Sequence, residues 1–398
     1  MMARKKKETA KKTAGDSALA RARAAINKSM KGRDDEVQLD TANLRESAPH
    51  FPSGSVVIDY LIGGKPNKFG VPPCPGIPRG RIMNLYGNPG AGKTTLALTA
   101  AASVCELGGT VAYIDWENEV EPRYAEILGV PITDPEKFVL IQPTTLEDGI
   151  RYAAIMCREG VDLVVLDSVG AGVPQAWFEA DETPGKGRIG LVASIWSQEL
   201  PKLKSIASKT NTAIIGISQL RTNLNITGYG GPKDAAQGGK AWKFYSATRM
   251  MLSRIQGLKE KVHDPLSGKI DEVVVGQKVK ARLDKCKVSD AMNRSAVFIL
   301  RSGYGIDDDA TLIEIALANN LITRAGAWYS WIAPDGNEIR GQGMGKFRTL
   351  LDAREGSFNE LWGQISPILS KTVDETQIAA ESGEDEDEDV FVETVLDV

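Results

Sequence analysis

The nine residues Gly87-Asn88-Pro89-Gly90-Ala91-Gly92-Lys93-Thr94-Thr95 satisfy the pattern G-x-x-x-x-G-K-[ST], a phosphate-binding loop when it leaves a strand and opens a helix. Glycines let successive backbone N–H groups turn inward around phosphate oxygens, and the helix N-terminus adds partial positive charge. In that chemistry Lys93 reaches the β and γ phosphates of a nucleoside triphosphate, and the Thr94 hydroxyl ligates Mg2+. The metal needs a carboxylate behind it. Leu163-Val164-Val165-Leu166-Asp167 is four apolar residues ending in an acid, which makes Asp167 the second Mg2+ residue. Hydrolysis also needs a base to polarise the attacking water. Glu117 follows an apolar run, 110–115, and is assigned that role over its near competitors Asp115 and Glu119. Gln219 ends another such run, 213–218, where its amide can sense the γ phosphate and move the loop after it, a known switching device.

These residues act together only if strands deliver them to one edge of a sheet. The pattern predicts strands at 81–86, 110–115, 138–141, 163–167 and 213–218. Between them it predicts helices at 93–107, 121–128, 145–159 and 188–208. Short Val/Ile-rich runs without polar alternation suit strands covered on both faces. The alternation of strand and helix predicts an α/β doubly wound domain with a parallel sheet. Strands near 248–255, 272–284 and 295–301 read as antiparallel additions at the sheet edge. From Asp309 the texture changes to helix (309–320), a hairpin turning at Pro334-Asp335-Gly336-Asn337, then helices 343–354 and 357–369: a second, small domain.

Composition narrows the chemistry. The chain has 398 residues, room for two or three domains. His50 and His263 are the only histidines, and neither has a metal-ligand spacing, which argues against a His-built zinc site or a Ser/His/Asp triad. Cys74, Cys105, Cys157 and Cys286 form no C-x-x-C pair and read as free thiols of a cytoplasmic protein. No apolar run is long enough to span a membrane. The net charge of −4 conceals a dipole along the chain: residues 1–33 net +9, residues 34–371 net −2, and residues 372–398 net −11. The basic head reads as a disordered arm (1–15) leading to a helix at 16–31, and the acidic tail as a solvated segment.

The strings around these residues resemble, in order, the RecA family of homologous-recombination ATPases, bacterial or phage-encoded. They are Gly87–Thr95, Tyr113-Ile114-Asp115-Trp116-Glu117, Glu121-Pro122-Arg123-Tyr124-Ala125, Val165-Leu166-Asp167-Ser168-Val169, Ser218-Gln219-Leu220-Arg221, Gly238-Gly239-Lys240-Ala241-Trp242-Lys243-Phe244-Tyr245 and Gly326-Ala327-Trp328-Tyr329-Ser330. The resemblance covers about 16–371. It implies a RecA-like P-loop NTPase core with a mostly parallel twisted sheet, an N-terminal polymerisation helix and a small α+β C-terminal domain. The implied divisions are 1–50 (basic arm, oligomerisation helix and linker), 51–308 (ATPase core), 309–371 (C-terminal domain) and 372–398 (acidic tail). It implies a cytoplasmic, ATP- and Mg2+-dependent filament on single-stranded DNA that pairs it with homologous double-stranded DNA and exchanges strands. By the same resemblance Tyr124 stacks on adenine and Glu121 lies near its amine. Lys285 and Lys287 reach the γ phosphate of a neighbouring protomer's ATP, and Phe244 carries the ATP signal across that interface.

The family's two DNA loops map onto 179–190 and 221–240. The candidate DNA contacts are Lys186, Arg188, Ile189, Ser197, Arg221, Thr222, Asn223, Leu224, Tyr229, Gly238, Gly239 and Lys240. Glycines let backbone N–H groups approach phosphates, cations add sequence-independent attraction, and Tyr229 or Ile226 can stack on bases. Three departures stand out. Ser194 and Pro201 occupy positions where the family carries Arg, with Lys202 or Lys204 as substitutes, and a proline at 201 is expected to bend or shorten its helix. The stretch 65–76 is longer than the family's turn. A ring-forming P-loop motor and a nucleotide-regulated binding protein share the phosphate loop and Asp167. The ring-forming motor does not account for Gly326–Ser330 or the N-terminal helix.

Overall fold

Side chains of the central strands alternate between two separate apolar layers, which is what a sheet covered on both faces requires. In the strand ending at Asp167, Leu163 and Val165 enter one buried cluster and Val164 and Leu166 the other. In the strand ending at Asp115, Val111 and Tyr113 divide from Ala112 and Ile114 in the same way. The computed structural model describes residues 46–66, 70–178, 190–222, 234–236, 238–263 and 270–381. The described residues belong to a single compact unit. The basic arm, the helix expected at 16–31 and the part of the 372–398 tail beyond 381 lie outside the described residues; residues 372–381, expected to be tail, continue the last helix, which runs past its expected end at 369 to Glu381.

The chain begins with β1 (His50–Phe51) and α1 (Val56–Gly63). The Pro-rich stretch ends in β2 (Ile77–Pro78), which pairs with β1. Its Pro66, Pro72 and Pro75 join Tyr60 and Trp362 around a cavity of about 460 Å³. The expected alternation follows: β3 (Ile82–Gly87), α2 (Lys93–Glu106), β4 (Val111–Asp115), α3 (Pro122–Ile127), β5 (Phe138–Ile141), α4 (Leu146–Arg158) and β6 (Leu163–Asp167). After α5 (Gln175–Phe178) come α6 (Leu191–Thr210), β7 (Ala213–Thr222), β8 (Asp234–Ala236) and α7 (Lys240–Tyr245). Strands β9 (Thr248–His263) and β10 (Ile270–Cys286) pair along their whole length and lead to β11 (Ser295–Arg301) and β12 (Gly305–Ile306). The last section holds α8 (Asp308–Ala318), β13 (Ile322–Ala325), β14 (Trp328–Ile332), β15 (Glu338–Gln342), α9 (Met344–Asp352) and α10 (Ser357–Glu381).

The large sheet runs β12-β11-β10-β9-β3-β7-β6-β4-β5, with β8 paired to β7. Strands β9, β3, β7, β6, β4 and β5 are parallel, and β10, β11 and β12 are antiparallel additions. The expectation for 248–255 is corrected here: β9 is antiparallel to β10 but parallel to β3, so it extends the parallel core. It is also longer than expected, because pairing with β10 continues past the end of β3.

The expected shortening at Pro201 does not occur. Helix α6 runs 20 residues through it. Proline removes one backbone donor, but Trp196, Leu200, Leu203 and Ala207 stay buried along one face and hold the helix on the sheet. At the other end, β13, β14 and β15 form their own antiparallel sheet. Asp307 caps α8 and bonds Arg301 and Arg348. Burial would raise its pKa, but those bonds hold it below the usual carboxylate value. The four cysteines are free, with Cys74, Cys105 and Cys157 buried. Among the described residues no helix is long and apolar enough to cross a membrane.

Candidate active site

Strand order and register bring the sequence-separated residues to one edge. Parallel strands β3, β7, β6 and β4 all end on the same side, where doubly wound sheets hold ligands. Gly87 is opposite Gln219, and Asp115 is opposite Asp167. Two glycines are required by space. A Cβ on Gly87 would lie 2.1 Å from the Leu252 carbonyl oxygen. Gly92 has φ +85°, and its Cβ would meet Leu300 at 2.4 Å. Gly92 is also the N-cap of α2 and supplies no side-chain cap, so the first N–H groups of that helix are left for an anion.

Lys93 is buried, and its Nζ donates to the Asn88 carbonyl at 2.8 Å. Burial lowers its pKa, opposed by the charges of Asp167 and Glu117. The Thr94 hydroxyl donates to Asp167 Oδ2 at 2.9 Å, and the Tyr113 hydroxyl donates to the same oxygen at 2.6 Å. Burial pushes the Asp167 pKa up to about 6 against the lowering effect of those two bonds. A hydroxyl beside a carboxylate at the mouth of a phosphate loop is an oxygen pair of the kind Mg2+ takes. Among the described residues no group of three or more His, Cys, Asp or Glu could hold a metal. A cation at Thr94 and Asp167 would therefore complete its shell from phosphate and water.

The three acidic residues at and after the end of β4 differ in their bonding. Asp115 accepts from the N–H groups of Glu117, Asn118 and Val120 and so shapes the loop. Glu119 is exposed. Glu117 points inward to Ser168, whose hydroxyl donates to it, and to Gln219, whose Nε2 donates to Glu117 Oε1 at 2.9 Å. Sequence reasoning missed Ser168 and Tyr113 as partners. Tyr113 has a local signal, because period-two spacing puts it on the same face of β4 as Asp115.

Glu121 caps α3, accepting from Arg123 N and Tyr124 N at 3.1 and 2.5 Å. The Tyr124 hydroxyl lies 3.1 Å from Thr95 Oγ1, so α3 is fastened to the start of α2. Lys285, Lys287 and Phe244 are not brought to this edge. Lys285 is opposite Arg249 in β9, and Arg249 is opposite Asn84, three residues before Gly87, about 10 Å back along the strand. Lys287 lies further still: its N–H bonds Ala247 O, and Ala247 N–H bonds Ile82 O at the start of β3. Lys285 Nζ donates to the carbonyls of Lys243 and Phe244 at 2.7 and 3.0 Å. Burial, then Lys287, Arg249, Lys204 and Lys243, lowers its pKa to about 8. Phe244 is 67% exposed beside it.

Of the candidate DNA contacts, Lys186, Arg188, Ile189, Asn223, Leu224 and Tyr229 lie outside the described residues. Arg221 and Thr222 are the last residues of β7, paired with β8. Ser197 is exposed on α6 and donates to Ala193 O. Gly238 and Gly239 have φ of +85° and +82° and lead into α7, where Lys240 is exposed. Of the two substitutes considered for the missing arginines, Lys202 is paired with Glu199 at 2.6 Å.

The family model described as the RecA N-terminal domain matches residues 17–307, more than half of the chain. The chain is 37% identical over 348 residues to Protein RecA of Limosilactobacillus reuteri (strain DSM 20016), covering 85% of this chain and 87% of that protein. It is 36% identical over 315 residues to Protein RecA of Lactobacillus delbrueckii subsp. bulgaricus (strain ATCC 11842), covering 79% and 86%. With Protein RecA of Borrelia duttonii (strain Ly) it shares 32% identity over 373 residues, 94% of each chain.

Proposed function

This chain belongs to the RecA family, and from that premise we propose that it is an ATP- and single-stranded-DNA-dependent recombinase. On this reading it assembles as a helical filament on single-stranded DNA, pairs it with a homologous duplex and exchanges strands. The functional divisions are those given above: an oligomerisation arm to residue 50, an ATPase core to 308, a small domain to 371 and an acidic tail. The reading places the protein in the cytoplasm.

The observation that carries the reading is the bond from Gln219 to Glu117 at the edge holding the phosphate loop. It ties a base candidate to β7, three residues before the end of the strand that enters the second loop assigned to DNA. In the proposed mechanism the P-loop N–H groups and Lys93 bind ATP, and Tyr124 and Glu121 hold the adenine end. Thr94 and Asp167 hold Mg2+, which when bound supplies positive charge against the phosphate oxygens. Glu117 polarises the attacking water, oriented by Ser168 and Gln219. The residues of 179–190 and 221–240 named above contact DNA.

The placement of Lys285, Lys287 and Phe244 supports self-assembly. They sit at the amino-terminal edge of the parallel strands, whereas the same chain's phosphate loop sits at the carboxyl edge. Cations so placed serve a neighbour's nucleotide better than their own. The test is D-loop formation with ATP, comparing homologous and heterologous duplex. Product with the homologous duplex alone is expected, and joint molecules formed equally with both would overturn the reading.

A further inference from the structure

Behind the site lie three indoles from distant parts of the chain. Trp116 and Trp196 meet edge to face, with ring centroids 6.2 Å apart at 84°, and Trp196 and Trp242 meet at 5.0 Å and 71°. All three are buried. Each is fastened to a different part of the catalytic edge. Trp116 immediately precedes Glu117; its backbone N–H donates to Asp167 O and its indole N–H to Thr145 O. The Trp196 indole N–H donates to the carbonyl of Val169, two residues past Asp167, at 2.7 Å.

Trp242 fills a slot made by missing side chains. A Cβ on Gly216 would fall 2.1 Å from its ring and one on Gly238 2.8 Å from it. Gly216 is three residues before Gln219 on β7. The Trp242 indole N–H is buried and, among the described residues, has no hydrogen-bond partner. Buried donors are nearly always paired, so shape alone holds this ring. Trp196 belongs to α6 and Trp242 to α7, the helices that follow the two segments assigned to DNA.

We infer that Trp116, Trp196 and Trp242 form one positioning unit, which sets Glu117 against Gln219 according to where α6 and α7 stand and so makes ATP turnover respond to DNA. The inference rests on the recombinase reading above. Its physical basis is that close-packed rings do not deform continuously: a shift of either helix root is passed to the next ring rather than absorbed. None of the three touches the reacting atoms. They act through the segments bearing Glu117, Ser168 and, on β7, Gln219, where a displacement of about 1 Å can cost up to about a hundredfold in rate.

The test compares full-length Trp242→Leu, Trp242→Phe and Trp331→Leu, measuring ATP turnover with and without single-stranded DNA. Trp331 is a matched control, equally buried on β14 and bonded to Gln364 of α10 in the C-terminal section. Trp242→Leu is expected to lose about tenfold or more of the DNA-stimulated kcat with the KM for ATP changed less than about twofold. Trp242→Phe, which keeps one aromatic ring in the slot but loses the unpaired N–H and the second ring of the indole, should lose less DNA stimulation than Trp242→Leu. Trp331→Leu should keep its DNA stimulation. If Trp242→Leu does not fold, Trp196→Phe, which loses the bond to Val169 O, takes its place with the same expected loss. Full DNA stimulation in folded Trp242→Leu, or in Trp196→Phe where that variant replaces it, or an equal loss in Trp331→Leu, overturns the inference and leaves the recombinase reading standing. A wild-type protein whose turnover ignores DNA takes down both.

Discussion

Removing the Tyr113 hydroxyl isolates the electrostatics of Asp167. Tyr113 is fully buried and donates at 2.6 Å to Asp167 Oδ2, the oxygen that also accepts from Thr94. Burial has already lifted the Asp167 pKa to about 6, and the Tyr113 bond is the largest influence holding it down. A hydrogen bond to a charged group contributes about 1.5–3 kcal/mol. Taking about 2 kcal/mol, at about 1.36 kcal/mol per pKa unit, Tyr113→Phe lifts the Asp167 pKa to about 7.5. The ionised fraction at pH 7 then falls from about nine-tenths to about one quarter.

Two measurements follow. The pH profile of Mg2+-dependent ATP turnover should move about 1.5 units to alkaline, with about a fourfold loss at pH 7 recovered by about pH 9. Stability should respond in the matching sense. The hydroxyl stabilises the ionised carboxyl, so the variant loses about 2 kcal/mol above about pH 8. That loss fades as pH falls below about 6, where the carboxyl is protonated in both proteins. Denaturant titrations at the two pH values read it directly. A Tyr113→Phe profile that superimposes on wild type, or one lowered equally at every pH, would refute the reasoning.

Glu117→Gln should retain ATP binding while hydrolysis falls about a hundredfold or more; normal turnover would remove Glu117 as base. Gly92→Ala forces a Cβ against Leu300 at φ +85° and should cost about 1–3 kcal/mol and abolish ATP binding, measured by thermal melting and nucleotide titration. Lys285, with its pKa near 8, loses its charge as pH rises through that value. Assembly on single-stranded DNA, followed by light scattering, should therefore weaken above pH 8 in wild type, and Lys285→Arg, whose charge persists, should flatten that decline.

Much of the fold was legible because its signals are local. The run Leu163–Asp167 is apolar at every position before its acid, and the strand it predicted has the same limits in the structure. The phosphate loop is a nine-residue pattern whose glycines act where they stand. The long pairing of β9 with β10 was less legible, since the outer parts of both strands are exposed, Ile270, Val273 and Val274 included, and are held by each other rather than by the core. Pro201 misled because its local helix-breaking effect is outweighed by a row of buried neighbours on α6.

The sequence by itself determined the phosphate loop, the acid at the end of β6, the alternating order of elements and the family strings, all of them carried by residues near each other in the chain. Tertiary structure alone decided that Glu117 meets Ser168 and Gln219, that Tyr113 supports Asp167, and that Lys285 and Lys287 lie at the edge opposite their own phosphate loop. It alone also brought residues 116, 196 and 242 together. The reason is physical: these relations depend on which strand lies beside which and in what register. That choice is made by packing across the whole sheet, and no spacing within a single segment encodes it.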